Sequence, residues 1–218
     1  MGAAGVLAEW FIRRWSVTPQ QGALPRRPRS SPSLTLRFCA PVLLCLLGVT
    51  GYAQQGAEDL EGRQADPWTI AAGKIVVLVF VRTDCPISNR YAPTIQRLSA
   101  QFADKAQFWL VYPDKDETPA SITKYLHEYG YKLPALRDPR HALVKLSQAH
   151  VTPEVAVFSA GGQLAYHGRI DNWYESFGHA RPAPTIHDLE DALRATLVGK
   201  PVAPIEIRGV GCYISDLE

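Results

Sequence analysis

Two kinds of hydrophobic pattern alternate through the middle of the chain. Residues 75–81 are continuously apolar and rich in β-branched side chains, which is typical of a strand buried on both faces, and residues 107–112 form a second such run. Between them, the apolar side chains of residues 90–106 recur after four, three and four positions and therefore share one face of a helix. These side chains are Tyr91, Ile95, Leu98 and Phe102. The pattern predicts a strand, a helix and a second, parallel strand.

Helical and extended segments continue to alternate after the second strand. A helix is predicted over 119–129, with Thr118 as its N-cap, because apolar residues form a stripe along it. A further helix is predicted over 140–149, and a short extended piece over 133–136 lies between the two. We expect this region to add one more strand to the sheet.

The C-terminal part of the chain begins with a hairpin signal. Residues 151–170 contain two apolar runs separated by Gly161-Gly162, which predicts two antiparallel strands. A loop over 172–184 and a helix over 185–198, capped by Thr185, follow. The order of elements predicts one α/β domain with a mixed central sheet, parallel in its first half, and helices on both faces.

Charge is distributed unevenly between the first 53 residues and the rest. The 218-residue chain carries 23 Lys and Arg against 21 Asp and Glu, a formal net charge of +2. Six of the arginines and a single acidic residue, Glu9, lie in residues 1–53. The remainder has 17 basic and 20 acidic residues, a net charge of −3, which argues against nucleic acid as the main partner.

The first 53 residues have the pattern of an export signal. A basic stretch rich in Ser and Pro precedes an apolar run over 38–49, and the small residues Gly51 and Ala53 then fit a signal-peptidase site, with Gln54 as the first mature residue. An uncleaved membrane anchor is the alternative, but the 16 residues of 38–53 include Pro41 and fall short of the ~18–20 that a span needs. We therefore expect an exported protein, in the periplasm or cell envelope.

Removal of the signal would leave two cysteines in the mature protein. Cys39 and Cys45 lie in the signal, whereas Cys85 and Cys212 remain, in a compartment where disulfides can persist. Cys85 follows the first buried strand and begins the helix, where free N–H groups and the helix dipole favour a thiolate. A buried, unreactive cysteine is the alternative.

Three sequence features of the mature chain resemble the thioredoxin superfamily. They are Thr83-Asp84-Cys85-Pro86-Ile87-Ser88-Asn89 between strand and helix, Thr152-Pro153 before a strand, and the hairpin end Tyr166-His167-Gly168-Arg169-Ile170-Asp171. The resemblance covers about residues 58–200 and is closest to the redoxin branch, which includes peroxiredoxin-like proteins of the alkyl hydroperoxide reductase and thiol-specific antioxidant type. It implies a thioredoxin-like three-layer sandwich over 54–201, a cis-proline at Pro153 beside the thiol, and thiol-based oxidoreductase activity.

Two positions depart from the activities that this resemblance implies. Thioredoxins carry Cys-x-x-Cys, but the fourth position here is Ser88. Peroxiredoxins place a Thr three residues before the reactive Cys, whereas this chain has Arg82 there and Thr83 only two residues before. Thr83 stays a candidate site residue, and the choice between thiol–disulfide exchange and peroxide reduction stays open.

Cys212 is the candidate for the missing second thiol. It lies in a Gly-x-Gly-Cys tail over 202–218, 127 residues after Cys85, and the glycines suggest a segment flexible enough to swing. The spacing is similar to that of two-cysteine peroxiredoxins, which implies a resolving role for Cys212. A static disulfide, an unpaired thiol and service to a second subunit of a homodimer remain open alternatives.

The expected partners follow from thiol chemistry. They are an oxidised thiol protein or a peroxide as substrate, together with a reductant of unknown identity, and no cofactor or metal is expected. The competing hypothesis is a non-catalytic envelope protein, either a copper chaperone or a binding module. Copper-delivery relatives use Cys-x-x-x-Cys, where this chain has Asn89, so a metal site would need Cys212 with His150 or His167.

The predicted signal can be checked by N-terminal sequencing. Protein isolated from its native envelope should begin at or close to Gln54, because the small residues before it form the cleavage site. An N-terminus upstream of Phe38 would contradict cleavage.

Overall fold

The computed structural model describes residues 56–215 and 217, which belong to one compact unit; the predicted signal lies outside the described residues. Five helices are found there: α1 (Pro67–Ala71), α2 (Pro86–Gln101), α3 (Pro119–Glu128), α4 (Ala142–Ser147) and α5 (Asp188–Leu197). The strands are β1 (Ile75–Phe80), β2 (Ala106–Tyr112), β3 (Ala135–Arg137), β4 (Val151–Thr152), β5 (Glu154–Phe158), β6 (Leu164–Gly168), β7 (Tyr174–Ser176), β8 (His179–Ala180), β9 (Glu206–Ile207) and β10 (Cys212–Tyr213).

Six of the strands form the central sheet, in the order β3-β2-β1-β5-β6-β9. Strands β1, β2 and β3 run parallel, whereas β5 pairs antiparallel with both β1 and β6. The last strand, β9, comes from the C-terminal tail and pairs parallel with β6. Two smaller pairs, β4 with β10 and β7 with β8, lie outside this sheet. The predicted mixed sheet, with a parallel first half and the β5–β6 hairpin, is confirmed, but the hairpin does not end the sheet because β9 pairs with β6 beyond it.

Both faces of the sheet are covered, which explains the unbroken apolar run in β1. Val77 and Val79 pack into a hydrophobic core that includes residues of α2, α3 and α5. Val76 and Leu78 point to the opposite core, which includes residues of α1 and α4. Because successive side chains of a strand face opposite sides, a strand between two helical layers must be apolar at every position. The predicted three-layer α/β sandwich is confirmed.

The helix after β1 begins four residues earlier than the apolar spacing predicted. Pro86 occupies its first turn, where the missing N–H costs nothing and the fixed φ suits a helix. Tyr91, Ile95 and Leu98 are buried on its inner face, as predicted. The earlier start makes Cys85 the N-cap of α2.

The prediction of Thr118 as a helix cap is confirmed, and that of Thr185 is wrong. The Thr118 side chain accepts the Ser121 N–H, and together they form a capping box at the start of α3. In α5 the N-cap is His187, while Thr185 accepts a hydrogen bond from the Asn172 side chain at 2.8 Å. Asn172 opens the segment predicted as a loop, which contains the β7–β8 pair.

The fold explains why the tail does not project from the domain. Strand β9 extends the central sheet and β10 pairs with β4, so the tail packs against the sheet edge and the loop before β5. Among the described residues, no helix is long and apolar enough to cross a membrane.

Removing the cap of α3 should destabilise the domain. Thr118→Ala removes the acceptor of the Ser121 N–H and should lower the free energy of unfolding in urea by about 1 kcal/mol. Thr123→Ala, on the exposed side of the same helix, is the control and should change it by less than about 0.5 kcal/mol. Equal losses in the two variants would contradict the capping role.

Candidate active site

The Cys85 thiol lies between the end of β1 and the start of α2. Its side chain is fully buried, with 0% of its surface exposed. The Cys85 carbonyl accepts the Asn89 N–H at 3.1 Å, which is the first hydrogen bond of the helix, while its side chain makes no capping bond. The sulfur is therefore held at a helix N-terminus and is free to interact with other segments.

The loop between β4 and β5 supplies the first of these segments. The Thr152–Pro153 peptide bond is cis, as predicted, and Cys85 Sγ lies 3.1 Å from the Thr152 carbonyl oxygen, to which the thiol donates. Pro153 thus lies beside Cys85 at the edge of the sheet where β1 ends.

The C-terminal tail supplies the second sulfur. Strand β10 pairs antiparallel with β4, with Cys212 opposite Thr152. The Cys212 thiol donates to Cys85 Sγ, and the two unbonded sulfurs are 2.9 Å apart. The Thr152 hydroxyl also donates to the Cys212 carbonyl, at 3.4 Å. Of the predicted site residues, the structure therefore brings Cys85, Cys212 and Pro153 together within one chain.

The glycines before Cys212 allow the tail to approach this loop closely. A Cβ atom on Gly211 would overlap the Thr152 carbonyl, and one on Gly209 would lie 2.8 Å from Glu154 Cγ. The sequence suggested that these glycines make the tail flexible. In the structure they have a steric role, because a side chain at Gly211 would push the two backbones apart and one at Gly209 would press against the Glu154 side chain.

Burial raises the pKa of both thiols, and one shared hydrogen bond, which Cys212 donates and Cys85 accepts, then separates the two values. Burial raises the pKa of Cys85, but the hydrogen bond from the Cys212 thiol and the nearby N–H and hydroxyl of Ser88 outweigh it, so that the pKa falls below its ordinary value. Burial, the donated hydrogen bond and the charge of Cys85 together raise the pKa of Cys212 to about 12. Cys85 is therefore the more acidic thiol of the pair, and Cys212 is the less acidic one.

Sequence reasoning missed a contribution from Ser88. This residue takes the place of the second cysteine of Cys-x-x-Cys, and its backbone N–H and hydroxyl both lower the pKa of Cys85. Its hydroxyl is buried and makes no hydrogen bond of ordinary geometry with any group. The sequence did offer one signal: Ser88 lies three residues after the N-cap. The N–H groups of the first helical turn point towards the N-cap side chain.

Thr83 contacts a carboxylate instead of a sulfur. Its backbone N–H donates to Glu117 Oε1 at 2.6 Å. Glu117 is buried, burial raises its pKa, and its second oxygen has no hydrogen-bond partner. Sequence reasoning did not identify this residue. We assign it the role of holding the loop before Cys85.

The Arg82 guanidinium forms ion pairs with two carboxylates. Its Nη2 lies 3.0 Å from Asp84 and 3.1 Å from Asp114. Its guanidinium still lowers the pKa of Cys212, although less than Cys85 and burial raise it. Within residues 56–215, no three His, Cys, Asp or Glu side chains form a group that could hold a metal ion, so His150 and His167 do not join Cys212 in such a group.

The sheet and the position of the thiol define the class of protein. A cysteine at the start of the helix after the central strand, next to a cis-proline loop, belongs to a thioredoxin-like fold with thiol-based oxidoreductase chemistry. The AhpC/TSA family model matches residues 54–167, more than half of the sequence. The chain belongs to the AhpC/TSA family, which confirms the predicted redoxin resemblance.

Two solved structures with a TM-score of 0.61 show the same fold. An uncharacterized conserved protein from Geobacillus kaustophilus is 22% identical with a TM-score of 0.61, over 73% of this chain and 86% of the other. A hypothetical protein from Sinorhizobium meliloti is 20% identical with a TM-score of 0.61, over 72% and 88%. A secreted Mycobacterium tuberculosis disulfide oxidoreductase is 19% identical with a TM-score of 0.45, over 66% and 95%. The comparison with curated proteins finds no match.

The shared hydrogen bond predicts how the Cys85 pKa responds to changes at Cys212. Cys212→Ala removes the donor and should raise the pKa of Cys85, whereas Cys212→Ser keeps a hydroxyl donor and should raise it less. The measurement is the rate of Cys85 alkylation by iodoacetamide against pH, followed on the Cys85 peptide by mass spectrometry. The alkylation midpoint should move to higher pH in the alanine variant. An unchanged midpoint there would contradict the assignment.

Proposed function

We propose that the protein is an exported thiol–disulfide oxidoreductase that cycles Cys85 and Cys212 between a dithiol and an intramolecular disulfide. The observation that carries this proposal is the 2.9 Å contact between the two sulfurs, which are 127 residues apart in the sequence. A reactive thiol with a second thiol in contact can complete a two-electron exchange without another protein subunit.

The first step is attack by the Cys85 thiolate on one sulfur of a substrate disulfide. The substrate S–S bond breaks, a mixed disulfide forms at Cys85, and the other substrate sulfur leaves as a thiolate. Cys212, once deprotonated, then attacks Cys85 Sγ, forms the Cys85–Cys212 disulfide and releases the second substrate thiol. The substrate gains two electrons, and the protons of the two protein thiols end on the two released thiols. A reductant thiol of unidentified source reverses these steps on the protein.

The acidities of the two thiols support this order. Cys85 attacks first because its pKa is the lower of the two. Part of the rise in the Cys212 pKa comes from the charge of Cys85, and that charge disappears when Cys85 enters a mixed disulfide. Cys212 therefore becomes easier to deprotonate at the step in which it must act.

Substrate access requires the tail to shift. Cys85 has no exposed surface in this arrangement, whereas Cys212 is partly exposed. Strand β10 is only two residues long, so the contacts at its end can open without disturbing the central sheet. The exposed Tyr213 next to Cys212 is 81% accessible and marks the side from which a substrate protein would approach.

Peroxide reduction is the second candidate function, and membership of the AhpC/TSA family favours it. The same pair would reduce a peroxide to an alcohol and water through a Cys85 sulfenic acid that Cys212 resolves. Against this, Arg82 occupies the position of the peroxiredoxin threonine and is already paired with Asp84 and Asp114. Thr83, one residue later, has its backbone engaged by Glu117. We therefore favour disulfides over peroxides as the substrates of the protein.

The proposed function is tested by presenting the reduced protein with each kind of oxidant. Glutathione disulfide should convert it to the Cys85–Cys212 disulfide, identified by mass spectrometry of the linked peptides, faster than hydrogen peroxide does at equal concentration. Cys212→Ser should stop at a Cys85–glutathione mixed disulfide, and Cys85→Ser should give no reaction. Faster oxidation by peroxide would favour the peroxidase, and failure to form the linked peptides with either oxidant would overturn the proposal.

A further inference from the structure

Glu154 is a buried acidic residue that the chemistry described above does not use. It begins β5, directly after Pro153, and only 3% of its surface is exposed. Its carboxylate accepts three backbone hydrogen bonds. Oε2 accepts the N–H of His150 at 2.7 Å and of Val151 at 3.3 Å, and Oε1 accepts the N–H of Gly209 at 2.9 Å.

These three donors belong to two different segments of the chain. His150 and Val151 lead into β4 and the cis-proline loop, whereas Gly209 lies in the tail, three residues before Cys212. A hydrogen bond to an ionised carboxylate is roughly twice as strong as one between neutral groups. One carboxylate therefore joins the loop beside Cys85 to the segment that carries Cys212.

The tail is shaped to fit this carboxylate. A Cβ atom on Gly209 would lie 2.8 Å from Glu154 Cγ and 3.2 Å from Val151 Cγ2, so any larger residue would push the tail away. Beyond Gly209, the pairing of Cys212 with Thr152 continues the same attachment towards Cys85.

We infer that Glu154 is a positioning residue that fastens the tail to the cis-proline loop and thereby holds Cys212 Sγ within reach of Cys85 Sγ. The inference rests on the proposed function, because it assigns Glu154 a role in forming the Cys85–Cys212 disulfide. Glu154 would act by raising the effective concentration of the Cys212 thiol at the Cys85 sulfur. Glu154 contacts neither sulfur and takes no part in bond making.

The quantity to measure is the equilibrium between the protein and glutathione. In this exchange the protein disulfide and two glutathione thiols give the protein dithiol and one glutathione disulfide, so that electrons and protons balance. A tail that is held less firmly presents Cys212 to Cys85 less often. The protein disulfide is then less favoured, and the mixed disulfide of Cys85 with glutathione accumulates.

Glu154→Gln is the decisive variant because it keeps the size of the side chain and removes its second acceptor. Whichever way the amide is oriented, its NH₂ group faces either the Gly209 N–H or the His150 and Val151 N–H groups, which are donors too. The equilibrium constant for forming the Cys85–Cys212 disulfide should fall by about tenfold to a hundredfold. The rate of Cys85 alkylation in a Cys212→Ser background should stay unchanged.

Asp138→Asn provides the matched control. Asp138 is also a buried carboxylate, and it accepts the N–H groups of Ala142 and Val144, both at 2.9 Å, at the start of α4. Loss of its charge should lower stability without changing the glutathione equilibrium. An equal fall in the equilibrium constant for both variants would show a general effect of destabilisation and would overturn the inference.

Gly209→Ala tests the same attachment from the tail side. Like Glu154→Gln, it should lower the equilibrium constant for forming the Cys85–Cys212 disulfide. In the double variant this constant should fall by less than the product of the two single-variant factors, because both substitutions break the same contact. If Glu154→Gln does not fold, Gly209→Ala decides alone. Wild-type protein that forms no Cys85–Cys212 disulfide in glutathione buffers would overturn the proposed function. Wild-type protein that forms it, with an equilibrium that Glu154→Gln or, in its place, Gly209→Ala leaves unchanged, would overturn only the role of Glu154.

Discussion

The close approach of the C-terminal tail to the cis-proline loop is the constraint on which the site depends. Bringing together two segments so far apart in sequence costs chain entropy, and that cost must be offset by contacts made on arrival. The structure provides them in series along the tail: β9 on the sheet edge, Gly209 on the Glu154 carboxylate, and β10 on β4. Glycine at position 211 is what permits the last of these, because the Thr152 carbonyl occupies the space of a side chain.

The electrostatics of the sulfur pair follow from this approach. A fully buried thiol ordinarily resists ionisation, and burial alone would raise the pKa of Cys85. Hydrogen-bond donors lower it, and the largest lowering contribution comes from the Cys212 thiol itself. Arg82, three residues before Cys85, forms ion pairs with Asp84 and Asp114. In the proposed cycle, the second thiol is therefore both the partner in the reaction and the group that most lowers the pKa of the first.

Much of the fold could be predicted because the spacing of apolar residues within a segment indicates its secondary structure. The unbroken apolar run of β1, the stripe on α2 and the cap at Thr118 are each signals within a few residues, and the structure agrees with them. The prediction of Thr185 as a helix cap was wrong because Thr185 is hydrogen-bonded to Asn172 instead. The Asn172 side chain donates to the Thr185 hydroxyl and accepts the Thr185 backbone N–H. The roles of Glu154, Ser88 and Glu117 could not be predicted for a related reason. Each depends on which backbone N–H groups or sulfur the fold brings to it, and no spacing rule encodes that.

Because the second thiol lies on the tail and not on the helix, substrate access to Cys85 and the pKa of Cys85 depend on the same segment. In the proposed cycle the tail moves aside to admit a substrate, and Cys85 then loses the hydrogen bond from Cys212 that most lowers its pKa. The donors of Ser88 do not leave with the tail, because Ser88 lies in the first turn of the same helix that Cys85 caps. They can keep part of the thiolate stabilisation during the open state, at the helix end where the dipole also favours an anion. Under the proposed function, Ser88, at the position of the second cysteine of a thioredoxin, therefore continues to lower the pKa of Cys85 while Cys212 is displaced.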